Sequence, residues 1–446
     1  MNSNRHEAWG APALLEKTAP WSILPSFFSE PPPMTNHSSP LCFVPESQNR
    51  RAFLIQSLLL ASGGALRAAD NPLLASIQKE VVVPEGAPGP LWFHPRACRV
   101  GNKILMTLQP ITGSDHFGHV HFTLSADIGK TWSPFEPAPP LGAVPAQDGW
   151  NEAVCDVTPE FHPKTGAVLA LGHNVFYRSK GFEKNQPARW PIYAVWKEGA
   201  WGPRRKLVWD DPRGAYIYSN NCGQRVVMPD GDVVMSFTFG VRDQPRSVCG
   251  VRCSFDGEIL EVKQTGNTLT NSKGRGLLEP SLTRFRGKFY LTIRAEDGRG
   301  YVAVSEDGIA YEPQRAWLWD DGKPLVTSTT QQHWLTHSEG LFLVYTRYDE
   351  SNAKIMRWRS PLWVAQVDIE TLRLIKSTER VVLPIQGDAV NHPELVAFHG
   401  NFGIANVASQ ESWVTDGSWC PKTNRGEFAM ARIRWDKPNA LMSGFE

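Results

Sequence analysis

From about residue 71 onwards, the chain is a succession of short runs that are either apolar or alternate apolar with polar residues. A turn signal such as Gly-Asn, Thr-Gly or Asp-Gly stands directly before each run. Runs of this length between turns are typical of β-strands, and no long helical periodicity is present. The pattern therefore predicts an all-β chain. The clearest runs lie at 103–108, 167–171, 232–237, 288–293 and 341–345.

An eight-residue motif recurs within this β-rich region. Residues 125–132 fit the pattern S-x-D-x-G-x-T-W in full, and shortened copies stand at 254–257 and 305–308. The spacing of the three aspartates suits repeats of roughly 50–65 residues, and the roughly 370 residues of the region would hold about six of them. Because small sheets repeated around an axis form a β-propeller, we expect a propeller of six blades.

The motif at 125–132 resembles the Asp-box of the sialidase (neuraminidase) superfamily, whose members are six-bladed β-propellers. The resemblance extends over most of residues 75–435 and points to bacterial proteins of the sialidase-like, BNR-repeat type. It implies that Asp127 and Asp307 accept N–H bonds within their own turns, and that Trp132 packs into a blade. We expect these three residues to be structural. Further similar segments lie at 278–282, 293–294, 361–368 and 429–435.

Residues 1–69 are predicted to be an N-terminal extension with an export signal, ahead of a propeller at 70–446. Arg50 and Arg51 precede a short apolar stretch that ends in Arg-Ala-Ala-Asp. This order resembles a bacterial twin-arginine signal peptide, which implies a periplasmic or secreted protein. An uncleaved anchor or a core helix of a cytosolic protein is the alternative for so short a stretch. Because the segment before the arginines is long for a signal, Met34 is a second candidate for the first residue.

Composition and charge narrow the range of functions. With 446 residues, of which 41% are hydrophobic and 20% charged, the chain can bury a large core. Lys and Arg total 46 against 45 Asp and Glu, so the net charge of +1 argues against nucleic-acid binding through phosphate neutralisation. Seventeen Trp suit a glycan partner, because indole faces stack on sugar rings. No apolar run after the N-terminal region is long enough to cross a bilayer, so we expect no stable membrane partner beyond the export machinery.

The cysteines predict neither a disulfide framework nor a metal site. Cys42 precedes the arginine pair, and the other cysteines follow it in the chain. Cys249 and Cys253 lie in one predicted strand, too far apart along it to pair with each other. There is no CxxC pair and no HExxH or similar spacing, so we expect no bound metal and no cofactor.

The resemblance also implies an active site on the propeller axis, near the starts of the innermost strands. Sialidases bind the carboxylate of an acidic sugar with three arginines, use an Asp as general acid/base, and activate a Tyr nucleophile with a Glu. Glu279, in a Glu-Pro pair before a strand, resembles that Glu, and Arg294 resembles one of the arginines. Arg96, with Arg99 as its alternative, and Arg347 are candidates for the others. For each arginine, pairing with a neighbouring carboxylate is the structural alternative.

The tyrosine of that mechanism has no counterpart in the sequence. It comes from the last blade in sialidases, but this chain has no Tyr after Tyr348 and carries Asn-His-Pro-Glu at 391–394 instead. Histidine is the usual proton carrier near neutral pH, and His119 and His121 would share one face of a strand. A hydrogen-bonded core or surface role is the alternative for each histidine. The histidines predicted to belong to the site are His119, as a catalytic group, and His173, His333 and His392.

A second polar cluster lies at 150–158. Glu152 and Asp156 would face the same way in a regular strand. Two carboxylates in an otherwise apolar strand are costly unless they are paired or exposed, so both are candidates for acid/base catalysis. Arg225 follows Asn-Asn-Cys-Gly-Gln ahead of another apolar strand and is a further candidate for binding a sugar carboxylate. A tight turn stabilised by the two Asn is the alternative there.

Three functions follow from these residues. The first is an exported, exo-acting glycoside hydrolase of the sialidase-like superfamily that acts on glycans with an acidic sugar. The second is a propeller polysaccharide lyase that uses His with Arg or Tyr, and the third is a non-catalytic glycan-binding propeller. The fold alone does not distinguish them, because function depends on the site.

Overall fold

A computed structural model describes residues 73–178 and 181–445. These residues form six small antiparallel sheets, which are the blades of a β-propeller. The predicted all-β, six-bladed fold is therefore confirmed. The predicted signal peptide, the alternative first residue Met34 and the boundary between residues 69 and 70 lie outside the described residues.

The strands fall into blades in chain order, except that β1 (Leu74–Val83) belongs to blade VI. Blade I contains β2 (Trp92–Val100), β3 (Lys103–Gly113), β4 (His116–Phe117), β5 (His121–Ser125) and β6 (Glu136–Pro137). Blade II contains β7 (Val144–Pro145), β8 (Asn151–His162), β9 (Ala167–Tyr177), β10 (Pro191–Lys197), β11 (Ala200–Trp201) and β12 (Arg205–Lys206). Blade III contains β13 (Ile217–Ser219), β14 (Val226–Val227), β15 (Val233–Gly240), β16 (Ser247–Phe255) and β17 (Leu260–Thr265).

The remaining strands complete blades IV to VI. Blade IV contains β18 (Leu278–Phe285), β19 (Lys288–Arg294), β20 (Gly300–Ser305) and β21 (Arg315–Ala316). Blade V contains β22 (His333–His337), β23 (Gly340–Tyr345), β24 (Leu362–Asp368), β25 (Arg373–Leu374) and β26 (Arg380–Leu383). Blade VI contains β27 (Gly403–Ala408), β28 (Glu411–Gly417), β29 (Phe428–Trp435) and β1.

The helices of the described region are short 3₁₀ turns between strands. Within residues 73–178 and 181–445, no helix has both the length and the apolar character needed to span a bilayer. The 3₁₀ turns are Pro139–Leu141, Gln147–Gly149, Pro212–Gly214, Glu350–Asn352, Met356–Trp358, Lys376–Thr378, Pro393–Leu395 and Ala440–Phe445.

Blade VI joins the two ends of the described region. β1 pairs antiparallel with β29, and the register places Leu74 opposite Trp435 and Val83 opposite Phe428. Backbone hydrogen bonds between distant parts of the chain thereby hold the first described strand in the last blade. This pairing satisfies a sheet edge that would otherwise be open, because the outer strand of a blade has unpaired N–H and C=O groups.

The three aspartates of the repeated motif occupy equivalent turns. Asp127 lies between β5 and β6, Asp256 between β16 and β17, and Asp307 between β20 and β21. Their spacing of two blades and then one blade agrees with the expected repeat. Asp127 accepts a backbone N–H bond of 2.9 Å from within its turn, and Asp307 accepts two of 2.8 Å. Trp132 packs edge to face against Trp413 of blade VI, with 5.9 Å between the ring centroids.

The core fills the spaces between blades. The apolar runs that predict strands fall on β3, β9, β15, β19 and β23, and every residue of β9 is buried. Large aromatic side chains occupy the gaps where neighbouring blades diverge. Trp317 of blade IV and Trp334 of blade V are fully buried there, with ring centroids 5.8 Å apart. Truncating such a side chain to Ala typically costs about 3–5 kcal/mol of stability.

The innermost strands surround the propeller axis and leave a cavity at each of their ends. β2, β8, β18, β22 and β27 are inner strands, and each contacts inner strands of neighbouring blades. A cavity of about 370 Å³ lies where the inner strands start, and we call it the front cavity. A cavity of about 630 Å³ lies where they end, and we call it the rear cavity. The predicted site residues are distributed over both.

Candidate active site

The front cavity is dominated by charged side chains. Its wall includes the starts of β2 and β18, the middle of β8, and the ends of β9 and β19, so strands of three blades contribute to it. Guanidinium and carboxylate groups face one another across a small space. The arginines are Arg189, Arg246, Arg275, Arg294, Arg357 and Arg359, and the carboxylates are Asp115, Asp156, Glu279 and Glu296.

Asp156 lies at the centre of a cluster of cationic and imidazole groups. Its φ is 58°, and the pairing of β8 with β9 shifts register between Cys155 and Thr158. This bulge turns the carboxylate towards the front cavity. Its Oδ1 accepts a hydrogen bond of 3.0 Å from Arg96 and lies 3.5 Å from His94 Nε2, and its Oδ2 lies 3.9 Å from His173 Nδ1.

The protonation states of this cluster follow from burial and charge. Burial alone would raise the pKa of Asp156, but His94, Arg96 and His173 outweigh it and hold that pKa below its ordinary value. Burial lowers the pKa of His94 to about 4 and that of His173 to about 3. At neutral pH the front cavity therefore contains an ionised Asp156 beside two neutral imidazoles.

Glu279 and Arg294 form a partly buried ion pair at the open end of one hairpin. Arg294 ends β19, and its Nη1 donates a hydrogen bond of 2.6 Å to Glu279 Oε1. Its Nε donates to Thr329 Oγ1 at 3.1 Å, which fixes the plane of the guanidinium. Glu279 has a φ of 44°, and its Oε2 is buried without a hydrogen-bond partner. The pair therefore presents an unused carboxylate oxygen to a ligand.

Two further arginines stand beside this pair, in the loop ahead of β24. Arg357 is exposed and has a φ of 55°, and Arg359 donates from Nε to the backbone oxygen of His399 at 3.0 Å. Burial, together with the charges of Arg294 and Arg357, lowers the pKa of Arg359 to about 10. The guanidinium groups thus repel one another, and an anion between them relieves that repulsion.

Asp115 lies at the mouth of the front cavity, on the turn between β3 and β4. Its φ is 55° and its side chain is exposed. The hydroxyl of Tyr177 donates to the backbone oxygen of Asp115 at 3.0 Å and accepts from the N–H of Phe117 at 3.2 Å, which fixes the turn. No protein group bonds the Asp115 carboxylate among the described residues. This carboxylate is therefore available to contact a ligand.

Solved structures share this architecture at low sequence identity. A protein of unknown function from Dyadobacter fermentans aligns with 81% of this chain and 100% of its own, with a TM-score of 0.58 and 14% identity. Trypanosoma rangeli sialidase in complex with sialic acid aligns with 81% of this chain and 59% of its own, with a TM-score of 0.55 and 12% identity. The chain has the six-bladed propeller fold of these sialidases. The Hadza microbial sialidase Hz136 aligns with 77% of the chain and 66% of its own, with a TM-score of 0.54 and 12% identity.

The similarity to these solved structures is a similarity of the propeller scaffold. Neither a family model nor a curated protein sequence matches the chain. The alignment spans 59% of the length of the T. rangeli sialidase. At these identities the likeness shows the fold alone, so the function of this propeller must be argued from its own site.

Two predicted residues of the sialidase-like propeller lie beneath the front cavity. Arg96 is 1% exposed and donates to Gln331 Oε1 at 3.2 Å in addition to its bond with Asp156. His333 lies between Ser281 Oγ at 2.9 Å and Gln331 Oε1 at 3.3 Å. Both side chains border the rear cavity. They position the floor of the front cavity and do not line it themselves.

Two predicted residues, Glu152 and His119, are held in other parts of the blades. Glu152 accepts hydrogen bonds of 2.7 Å from Asn174 and from Arg204, so its carboxylate is satisfied away from the axis. The bulge at Asp156 reverses the direction expected for a regular strand, and the two carboxylates therefore do not share a face. His119 is exposed and precedes β5, so it does not share a strand with His121.

Arg347 and His392 also lie outside the front cavity. Arg347 donates to Glu379 through Nε and Nη2 at 2.7 Å each and to Asp349 through Nη1 at 2.9 Å. It also stacks on Trp363, 4.3 Å from the ring centroid. His392 is exposed ahead of a 3₁₀ turn. Arg357 and Arg359, in the loop ahead of β24, line the front cavity, whereas Arg347 does not.

The rear cavity holds the remaining predicted residues. Arg225 is 5% exposed and donates to the backbone oxygens of Thr158 at 2.7 Å and Leu169 at 3.4 Å. Arg99, the alternative to Arg96, donates to the backbone oxygen of Val407. These guanidinium groups are used to join strands of different blades. The arginines predicted from the sequence are therefore structural in the rear cavity.

Glu160 also lines the rear cavity, but it differs from these arginines in having no bonding partner within the described part of the chain. Among the described residues, no hydrogen bond or ion pair is formed by its carboxyl group. Burial raises the pKa of Glu160 to about 7, and the charge of Arg225 only partly opposes that effect. The group is therefore only partly ionised near neutral pH.

Cys155, Asp156 and His173 form the one set of three potential metal ligands found in the described part of the chain. Their ligand atoms lie within 4.8 Å of one another, and Cys155 Sγ is 3.3 Å from His173 Nε2. The six cysteines of this part are all free and buried. Because Arg96 already bonds Asp156 and six arginines line the cavity, its charge favours an anion over a cation.

Several residues of the front cavity have no sequence motif that predicts them. Asp115 has a weak signal, because it opens the polar Asp-His-Phe-Gly segment. The others stand in loops without a motif, and their position becomes evident only when the blades close into a ring. The residues added by the structure are His94, Asp115, Arg189, Arg246, Arg275, Glu296, Arg357 and Arg359.

Proposed function

We propose that this sialidase-like propeller is an exported, exo-acting glycoside hydrolase that releases an acidic sugar from a glycan. The observation that carries the proposal is the convergence of Arg294, Arg357 and Arg359 with Glu279 in one cavity. Guanidinium groups match the two oxygens of a carboxylate, and a carboxylate beside them supplies the charge that glycoside cleavage needs.

The arginines would hold the carboxylate of the sugar and thereby orient its ring. Arg294 is fixed by Glu279 and Thr329, and Arg359 is fixed by a backbone oxygen, so both are oriented before a ligand arrives. Preorganised donors of this kind lose little entropy on binding. The carboxylate of the ligand also offsets the mutual repulsion of the guanidinium groups.

In the proposed mechanism, cleavage uses carboxylates in two roles. Asp115, exposed at the cavity mouth, donates a proton to the glycosidic oxygen as the bond to the anomeric carbon breaks. Glu279, with its unpartnered Oε2, stabilises the positive charge that develops on the sugar ring, and the ionised Asp156 adds to this field. Water then attacks the anomeric carbon, and Asp115 takes up its proton. No tyrosine lines the front cavity in the described part of the chain, so this route uses no tyrosyl intermediate.

A lyase is the second candidate, and one observation favours it. His94 and His173 face the front cavity beside the arginines, and burial holds both imidazoles neutral at physiological pH. A neutral imidazole can remove the proton next to a uronate carboxylate while arginines stabilise the resulting anion. The leaving group would then depart with formation of a carbon–carbon double bond.

The products distinguish the two reactions. Purified protein would be incubated with oligosaccharides that carry a terminal uronate or sialate, and both reducing ends and the ultraviolet absorbance of unsaturated products would be followed. New reducing ends without that absorbance support hydrolysis. Reducing ends accompanied by the absorbance contradict the hydrolase and support the lyase, and neither signal contradicts both enzymes.

The Glu279→Gln variant tests whether the front cavity is the active site. The substitution keeps the shape of the side chain and removes the charge, so we expect hydrolysis to be abolished while the fold is retained. Glu339→Gln is a matched control, because Glu339 is an exposed residue paired with Lys437 on a turn between strands. Wild-type activity in a folded Glu279→Gln variant would remove Glu279 from the mechanism.

A further inference from the structure

Three arginines form a second cationic group on the wall of the front cavity. Arg189 precedes β10, Arg246 precedes β16 and Arg275 precedes β18, so three blades contribute one residue each. The N–H of Arg246 donates to the backbone oxygen of Arg275 at 2.8 Å, and that of Arg189 donates to Tyr216 at 2.9 Å. The backbone of each arginine is therefore fixed by the neighbouring segment.

The partners of these arginines differ. Arg275 donates from Nε and Nη2 to Glu296 at 2.8 and 2.6 Å, so its charge is balanced. Arg189 and Arg246 form no side-chain hydrogen bond or ion pair with any described residue. The Nε of Arg189 is completely buried. Two guanidinium groups thus face the cavity without a direct ion pair to any described residue.

This arrangement is unfavourable for the protein alone. Burial, together with the charges of Arg189 and Arg275, lowers the pKa of Arg246 to about 10. Burial also lowers the pKa of Arg189. Buried cations without partners destabilise a fold, and each of these groups would gain from a bound anion.

The group is separate from the arginines assigned to the sugar carboxylate. Arg189 and Arg246 precede strands of blades II and III, whereas Arg359 lies in the loop ahead of β24 in blade V. The whole group comes from blades II to IV, and the arginines assigned to the sugar carboxylate come from blades IV and V. A carboxylate has only two oxygens, and a guanidinium that binds it through two N–H groups uses both of them. One carboxylate therefore cannot bind both sets of arginines in this way at the same time.

We propose that Arg189 and Arg246 form a second anion subsite, which binds a sulfate, phosphate or further carboxylate group on the same acidic glycan. This inference rests on the proposed function, in which Arg294, Arg357 and Arg359 bind the first carboxylate. The preferred substrates are therefore glycans with two oxyanions near the terminal sugar. Sugars that carry a single carboxylate leave Arg189 and Arg246 unpaired and bind more weakly.

A glycan array provides the test. It would carry terminal uronate and sialate oligosaccharides, each present without and with a sulfate, a phosphate or a second uronate near the terminus. The wild-type protein is expected to prefer the doubly anionic members, and the three modifications identify the chemistry of the second anion. Calorimetry on the best matched pair then gives the affinities.

The variants assign the preference to the subsite. Arg246→Gln is expected to lower the affinity for the doubly anionic glycan by about tenfold to a hundredfold, because hydrogen bonds to charged groups are strong. The singly anionic partner should bind this variant as it binds the wild type. Arg242→Gln is the matched control, since Arg242 stacks on Tyr216 outside the cavity. Circular dichroism confirms the fold, and the melting temperature of Arg246→Gln should not fall.

Two outcomes would overturn the inference. Equal wild-type affinity for singly and doubly anionic glycans contradicts it, and so does an equal loss of both in Arg246→Gln. In either case, the proposed function still stands if wild-type protein binds acidic glycans and the Arg359→Gln variant does not. If no acidic glycan binds, or if binding persists in Arg359→Gln, then the proposed function fails, and the second subsite fails with it.

Discussion

The two cavities of the propeller are built from the same inner strands but differ in what their side chains are free to do. The rear cavity, at about 630 Å³, is larger than the front cavity, at about 370 Å³. In the rear cavity, Arg225 and Arg99 donate to backbone oxygens of other strands. In the front cavity, Arg189 and Arg246 have no protein partner among the described residues, and Glu279 keeps an unused oxygen.

Backbone strain separates the cavities in the same way. Six residues other than glycine that line the front cavity have a positive φ, whereas Arg286 alone does so in the rear cavity. Such conformations cost about 1–3 kcal/mol each and persist where the surrounding structure enforces them. Backbone strain, rather than volume, therefore favours the front cavity as the proposed active site. The residues in question are His94, Asp115, Asp156, Asn221, Glu279 and Arg357.

The largest difference is expected when one carboxylate in each cavity is neutralised. Asp115→Asn removes the proposed proton donor, so turnover should fall by about 10² to 10⁴. Glu160→Gln makes the same change in side-chain charge in the rear cavity and should leave turnover within about twofold of the wild type. Steady-state kinetics on an acidic oligosaccharide measures both. If turnover is lost in Glu160→Gln but not in Asp115→Asn, the active site lies in the rear cavity and not in the front cavity.

Arginine substitutions should separate binding from folding. Arg359→Gln is expected to weaken binding of an acidic sugar by about tenfold to a hundredfold with little change in stability, because a ligand contact is lost. Arg225→Gln should leave binding unchanged and lower the free energy of unfolding by about 1–3 kcal/mol, because buried backbone oxygens lose their donor. Calorimetry and urea unfolding measure the two effects. Weakened binding in the Arg225 variant would contradict a purely structural role.

The buried histidines should make the protein acid-sensitive. Burial lowers the pKa of His94 to about 4 and those of His173 and His333 to about 3. A depressed folded-state pKa gives stability that is present above the unfolded value of about 6.5 and lost as the pH falls below it. Between pH 7.5 and 5, each histidine should cost up to about 2 kcal/mol of unfolding free energy.

Urea unfolding across this range measures that loss. It is best done in the Glu160→Gln background, because Glu160 titrates in the opposite sense. His333→Gln should remove roughly a third of the pH dependence. The exposed His392→Gln is the control and should remove none. A stability that does not change between pH 7.5 and 5 would contradict the burial of these imidazoles.

A smaller effect than that of the three histidines together is expected from the stability of the Glu160→Gln variant itself. The raised pKa of Glu160 means that its contribution to stability is lost as the pH rises from its unfolded value of 4.5 through about 7. At pH 8 the variant should therefore be more stable than the wild type by about 1–3 kcal/mol, and at pH 4 the two should agree. If the difference in stability between the variant and the wild type is the same at pH 4 and pH 8, the Glu160 carboxyl group is not buried.

The parts that the sequence predicts correctly are those set by local pairing. Each blade consists of short strands joined by local turns. The periodicity of the runs and the repeated Asp turn therefore predict the fold. Glu279 and Arg294, which the family resemblance singles out, also lie together because of local pairing. They lie at the open end of the hairpin formed by β18 and β19, in which Leu278 pairs with Arg294.

The parts that the sequence does not predict depend on bulges and on closure of the ring. A regular strand would give Glu152 and Asp156 a common face, but the bulge after Cys155 separates them. A similar register shift near His94 directs Arg96 beneath the cavity floor. Arg189, Arg246 and Arg359 come from loops of different blades. Their meeting depends on the way the blades pack, which no local pattern encodes.

The most direct test of the central claim is a crystal structure of the Glu279→Gln variant with a bound acidic oligosaccharide. The charge pattern predicts that the terminal carboxylate lies in the front cavity, within hydrogen-bond distance of Arg294 and Arg359, with the glycosidic oxygen near Asp115. A ligand bound in the rear cavity or on the outer edge of a blade, with the front cavity vacant, would contradict the claim.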